Sequence, residues 1–319
     1  MVSGGRVWRV TWHVAAILAA LVIIFFIVVV PWGMTGLITT RQYHFPDPND
    51  GKTPISYGLK FQTIAFDSSD GILIRGWYIP AAGPPRGTII FCHGQNRTRI
   101  EMLPEAVLAH GLGYDGVLLD FRNQGQSGRA IMTVGYSERL DVLGAVDYAR
   151  RELHAPHPYV VWGVSMGAAA ALLAASESKN IDAVISDSSF LSFEDTAYHH
   201  WRLFFRHIPS YPMVWEITHW VASRGNFDLS DFDLRKAVER INPRPILFVA
   251  VAGDRRMPPS VAQTLDALAT SPGKMLVILP GTRHGEGFNS GHEQYQEAVK
   301  QFLAKLQTPA EGARAAAAP

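Results

Sequence analysis

A serine between two glycines, Gly163-Val164-Ser165-Met166-Gly167, can serve as a nucleophile if the chain around it folds as strand, sharp turn and helix. The apolar run Tyr159-Val160-Val161-Trp162 precedes it and reads as a short buried strand, and the alanine- and leucine-rich run Ala168 to Ala175 follows as a strong helix former. A turn of this kind strains the serine backbone and lifts its hydroxyl out of the sheet. It also needs small residues on both sides, so that strand and helix can approach. The hydroxyl stays a poor nucleophile until a base takes its proton, and the base needs a third group to hold it.

Both partners are found downstream. Pro245 to Val251 reads as a buried strand running into Ala252-Gly253-Asp254, which places a carboxylate at its end. Lys274 to Leu279 reads as the next strand and leads into Pro280-Gly281-Thr282-Arg283-His284-Gly285. Ser165, Asp254 and His284 therefore all fall just past the C-terminal ends of strands, where open α/β sheets build their sites. Asp187, after the apolar run Ala183-Val184-Ile185-Ser186, is the rival for the orienting acid. His292 is expected to open the last helix. His199, His200, His207 and His219 lack ligand spacing, and neither an H-E-x-x-H stretch nor a paired Cys/His arrangement occurs, so no metal site and no cofactor is expected.

A developing oxyanion needs two donors. Gly87 to Cys92 reads as a central strand followed by His93-Gly94-Gln95-Asn96. The backbone N–H groups of Gln95 and Met166 are the expected oxyanion hole, and His93 is expected to shape the loop.

Together these residues resemble the α/β-hydrolase-fold serine hydrolases, of the membrane-anchored bacterial, serine-aminopeptidase-like and esterase-like kind. The resemblance rests on Ser69-Asp70-Gly71-Ile72, Gly76 to Pro80, His93-Gly94, the loop Asp120-Phe121-Arg122-Asn123-Gln124-Gly125-Gln126-Ser127-Gly128, Gly163 to Gly167, Asp187-Ser188, Gly253-Asp254 and His284. It implies a mostly parallel eight-stranded sheet flanked by helices, and acyl transfer to Ser165 with water completing the cycle. A carboxylic ester is the first expectation. Peptide and thioester bonds stay open, as do transfer to another acceptor and a non-catalytic, membrane-tethered binding module.

The elements that must position these residues follow the same order. Strands are expected at Phe61–Phe66, Ile72–Ile79, Thr88–Cys92, Gly116–Asp120, Tyr159–Trp162, Ala183–Ser186, Ile246–Val251 and Met275–Leu279, with helices between them, including Glu138–Arg151 and Glu293–Leu306. Phe190 to Ile241 interrupts the alternation and is rich in aromatic residues. It reads as a helical lid, about 190–241, whose rings either line an acyl pocket or pack a small core of their own.

At the N-terminus, Val14 to Val30 is an unbroken apolar run of 17 residues flanked by Trp8, Trp12 and Trp32. That is long enough to span a bilayer and too long for the apolar part of a signal peptide. The expected organisation is an anchor at 1–35, a linker at 36–56, a catalytic domain at 57–306 and a disordered tail at 307–319. Arg6 and Arg9 precede the span, whereas the nearest cations after it are Arg41 and Lys52, so the N-terminus is expected in the cytoplasm and the domain in the periplasm or outside the cell. Formal charge is +1 with scattered lysines and arginines, which gives no footprint for nucleic acid. The expected partners are the membrane and a small-molecule or lipid-like acyl substrate. The single cysteine, Cys92, excludes an internal disulfide and reads as a small buried side chain. Arg97, Arg99 and Arg122 are read either as solvated loop cations or as attractors of an anionic substrate.

Overall fold

The computed structural model describes residues 4–40, 42 and 44–306; the tail expected at 307–319 lies outside them. Eight strands form one sheet: β1 (Gln62–Asp67), β2 (Leu73–Ile79), β3 (Thr88–Cys92), β4 (Asp115–Leu119), β5 (Tyr159–Val164), β6 (Ala183–Asp187), β7 (Ile246–Val251) and β8 (Met275–Leu279). Their order across the sheet is β1-β2-β4-β3-β5-β6-β7-β8. β2 runs antiparallel to both neighbours and the other pairings are parallel, so the expected mostly parallel, eight-stranded α/β sheet is present.

Helices cover both faces. Alternate residues of the central strands point to opposite sides, which is why β3, β5, β6 and β7 read as continuous apolar runs. On one face Ile90, Cys92 and Val161 pack with α4 (Glu138–Arg151) and α5 (Met166–Glu177). On the other, Phe91, Val160 and Trp162 pack with a helix over Leu103–Gly111, here α3, and with the C-terminal helix over His292–Leu306. Cys92 is fully buried and unpaired in β3.

The N-terminal helix is longer than the anchor expected at 1–35. It runs as α1 (Gly4–Ile24), a π-helical turn (Phe25–Val29) and α2 (Val30–Thr39). Pro31 has no N–H to donate and its ring crowds the preceding turn, and the Val30 N–H reaches back to Phe25 O, which widens that turn. Thr35 and Thr39 donate their hydroxyls to the carbonyls of Pro31 and Thr35, both at 2.8 Å, which satisfies polar groups on the buried face of α2. Trp8–Thr39 is long and apolar enough to cross a membrane.

The insertion between β6 and β7 divides into two parts. α6 (Phe193–Phe204) and α7 (Met213–Gly225) stand over the C-terminal ends of the strands, with α2 packed along α7. α8 (Leu234–Ile241) turns its apolar face, Leu234, Ala237, Val238 and Ile241, onto the main body beside α5. α8 therefore belongs to the layer covering the sheet, and the roof is α6 and α7. Between β7 and β8 lies α9 (Pro259–Leu268), and after β8 come α10 (Gly287–Ser290) and α11 (His292–Leu306).

Candidate active site

Ser165 joins β5 to α5 with φ 54° and ψ −115°, a conformation that L-residues rarely hold and that the packing around it must enforce. The two glycines permit it. A Cβ on Gly163 would run into the Gly167 backbone, and one on Gly167 would run into the carbonyl of Cys92. The Ser165 N–H donates to Asp187 O at 2.8 Å, which fixes the turn to the neighbouring strand. Nothing bulkier fits at either glycine.

The structure brings Ser165, His284 and Asp254 into one line. Ser165 Oγ lies 2.8 Å from His284 Nε2, and His284 Nδ1 lies 2.7 Å from Asp254 Oδ2. Asp254 is buried in the turn after β7, where its Oδ1 accepts from the N–H groups of Arg256 (2.8 Å) and Met257 (3.0 Å). Burial pushes the Asp254 carboxyl up. The hydrogen bond and charge of His284, with the two backbone donors, outweigh it and hold the group below the usual carboxylate range. A carboxylate so held fixes which imidazole nitrogen carries the proton and supports a positive ring when one forms.

Asp187 is placed otherwise. Its buried carboxylate accepts from the hydroxyls of Ser188 (2.7 Å) and Tyr295 (2.9 Å), not from His284. Burial raises it to about 6 in spite of those donors. The sequence left the two acids as rivals, and the geometry places Asp254 beside the histidine.

Around Ser165 two backbone donors are free. The Gly94 N–H is taken by Glu101 Oε2 at 2.6 Å, whereas the N–H groups of Gln95 and Met166 have no acceptor among the described residues. Met166 begins α5, so its N–H also carries the positive end of that helix. His93 is fully buried beneath the loop: its Nε2 accepts from Phe121 N–H at 3.0 Å and burial lowers its pKa to about 4. It shapes the loop as expected.

Arg99 and Arg122 correct the expectation of solvated or substrate-facing cations. Both are buried and neutralised within the fold. Arg122 grips Asp70 and Asp141 at 2.6–3.0 Å, and Arg99 lies 3.1 Å from Asp120 with its guanidinium over the Trp77 ring. Asp120 in turn accepts the N–H groups of Arg99 and Gln126 at 2.8 Å, so the Asp120–Gly128 loop is a structural latch. Loop arginines beside aspartates look alike in sequence whether buried or solvated. Arg97 is half-buried and ties the loop after Gln95 to Pro46 O (2.6 Å) and Glu101 (3.3 Å).

Ser165, Gln95 and Met166 open into a cavity of about 200 Å³ whose lining is overwhelmingly apolar. α6 contributes Phe193, Trp201 and Phe204, and α7 contributes Val214 and Ile217. The lid aromatics thus line the cavity. Phe232 lies behind that wall, where it meets Phe190, Phe193 and Phe227 within the main core. Two of the histidines read as lacking ligand spacing lie near this mouth: His199 Nε2 is 2.8 Å from Arg255 O, and His200 lines the cavity. Burial, then the charge of Arg256, lowers the pKa of His200 to about 4, and its Nε2 has no partner among the described residues.

Met34 and Ile38 of α2 complete the wall. Sequence reasoning did not find them. The signal was present in their spacing, four apart and just past the apolar run, on the face that also carries Thr35 and Thr39.

A family model for the alpha/beta hydrolase fold matches residues 87–213. The chain is 27% identical to YqkD of Bacillus subtilis over 238 residues, covering 74% of this chain and 77% of that one. It is 22% identical to YfhR of Escherichia coli K12 over 281 residues, covering 85% and 89%. Among solved structures, the esterase Pf2001 of Pyrococcus furiosus superposes with a TM-score of 0.68 at 22% identity, over 84% of this chain and all of that one. The chain has the α/β-hydrolase fold, with Ser165 at the turn between its fifth strand and the helix that follows.

Proposed function

We propose that this protein is a serine hydrolase that cleaves a carboxylic ester through an acyl-enzyme. The observation that carries the reading is the unbroken line of short contacts from Asp254 through His284 to Ser165, with the Gln95 and Met166 N–H groups free beside it. The esterase likeness of the fold supports it. Ser165 Oγ attacks the carbonyl carbon as its proton passes to His284 Nε2, while Asp254 stabilises the imidazolium. The oxyanion sits between the two N–H groups, each worth about 3 kcal/mol of transition-state stabilisation. His284 then gives its proton to the departing alcohol. Water repeats the attack on the acyl-enzyme, losing a proton to His284, and the acid leaves as Ser165 recovers it.

An apolar cavity suits an acyl chain. Trp8–Thr39 supports a membrane anchor, with the N-terminus in the cytoplasm on the charge pattern of the flanks. The test is labelling of the full chain by a fluorophosphonate probe, with Ser165→Ala alongside. Labelling of the wild type alone supports an activated serine, and esters, thioesters and peptides of one acyl group then rank the bond. A folded wild type that takes no label, or a labelled Ser165→Ala, ends the reading.

A further inference from the structure

We propose that the membrane helix is a wall of the acyl site, and that the site takes the acyl chain of an ester lipid directly from the bilayer holding the protein. This rests on Ser165 as nucleophile and on the N-terminal helix as a membrane span.

The vertical position of the site follows from helix geometry. From Trp8 to Val30 the helix extends roughly 33 Å, and the hydrocarbon core is about 30 Å thick. Trp8 and Trp12 mark one interface and Trp32 the other, as aromatic residues do. Met34 then lies about 6 Å past Val30 along the helix and Ile38 about 12 Å past it. Both line the cavity that contains Ser165. The cavity wall thus begins within one turn or so of the membrane surface.

α7 carries the lid to the same level. Near its C-terminal end, Arg224 donates to Thr39 Oγ1 at 3.1 Å and lies 5.8 Å from the Trp32 ring. α7 also touches the Phe25–Val29 turn, so it runs parallel to α2 and its N-terminal end points toward the bilayer. The connection from α6 into α7 therefore sits at the interface. Beside the exposed Arg206 and His207 it presents four large apolar side chains: Phe204 is 60% exposed, Phe205 41%, Ile208 51% and Tyr211 70%. In water such a patch is a liability, whereas at a bilayer surface it is buried against lipid. Phe204 and Phe205 also line the cavity, which makes the apolar surface continuous from the interface to Ser165.

The linker joins the same assembly. Phe45 N–H donates to Asn96 O at 2.9 Å, so the chain leaving the membrane helix is tied to the loop that presents Gln95.

The test uses the full chain in phosphatidylcholine vesicles with two esters of one leaving group: p-nitrophenyl palmitate dissolved in the bilayer and p-nitrophenyl acetate in the aqueous phase. The variant Ile208→Asp/Tyr211→Asp charges the interfacial tip without touching the cavity wall. Turnover of the palmitate ester is expected to fall about tenfold or more while acetate turnover stays within about twofold, with the melting temperature unchanged. Equal rates on the palmitate ester for wild type and variant, or a parallel fall on both esters, overturn the inference. Acetate turnover without any palmitate turnover in the wild type overturns it alone. A folded wild type that turns over neither ester overturns the serine reading and this inference together.

Discussion

Met34 of α2 and Ser165 of the elbow line one cavity. α2 is therefore part of the pocket, and side-chain size at Met34 should set how much acyl chain the pocket accepts. Met34→Trp adds bulk to the cavity wall. Its kcat/KM on an octanoyl ester is expected to fall about tenfold or more relative to an acetyl ester, since a misfit of one methylene is worth about 1–3 kcal/mol in an apolar pocket. An unchanged chain-length profile would mean that the acyl chain lies elsewhere.

Asp254 and Asp187 make opposite predictions for one substitution. Asp254→Asn removes the carboxylate that faces His284 Nδ1 and should lower kcat by about 10⁴-fold, the scale of losing the orienting acid. Asp187→Asn leaves His284 and Asp254 in place, and the Ser165 N–H is held by the Asp187 backbone carbonyl, which the substitution keeps. Its kcat should change by no more than about tenfold, or about 1.4 kcal/mol. Steady-state kinetics on both variants decides this, and the reverse ranking would move the acid to β6.

Burial makes Asp187 a source of pH-dependent stability. Its carboxyl titrates at about 6 in the folded protein, against about 3.9 in an unfolded chain. Below about pH 4 both states are protonated and the group contributes no difference. Between about 4 and 6 the unfolded chain gives up the proton first, so stability falls as pH rises, by about 3 kcal/mol in all. Above 6 that cost is constant. Denaturant titrations of wild type and Asp187→Asn should diverge in favour of the variant as pH rises through this window. Parallel curves would show that the Ser188 and Tyr295 hydroxyls fully offset the burial.

The line from Asp254 through His284 to Ser165 could be assembled from the sequence because each residue depends on a short-range signal. An apolar run ending in Gly-x-Ser-x-Gly, Gly-Asp or a loop histidine states both the strand and the residue after it, and β3, β7 and β8 fall at the expected residues. What stayed hidden depends on contacts between distant segments. Arg122 reads as a loop cation until Asp70 and Asp141 arrive from two other elements. α2 reads as the end of an anchor running into a linker until α7 packs on it and Met34 joins Ser165 in the lining of one cavity. The lid's aromatic content was plain, but which rings face the cavity was set by how α6 and α7 cross the sheet.

The docking of α2 predicts where the chain can be shortened. Trp201, Met213, Val214 and Ile217 form an apolar cluster against which Val30, Met34 and Ile38 pack. Removing residues 1–40 uncovers that cluster and deletes the Met34 and Ile38 wall, at a cost on the order of a few kcal/mol in lost apolar burial. Removing only residues 1–28 takes away most of the exposed apolar helix and leaves α2 with the hydrogen bond that Arg224 donates to Thr39 Oγ1. The longer truncation should melt earlier, bind a hydrophobic dye and lose activity on octanoyl esters more than on acetyl esters. The shorter one should keep the wild-type melting temperature and acetyl-ester activity in solution. If both truncations behave alike in thermal melts and chain-length profiles, α2 contributes nothing to the pocket.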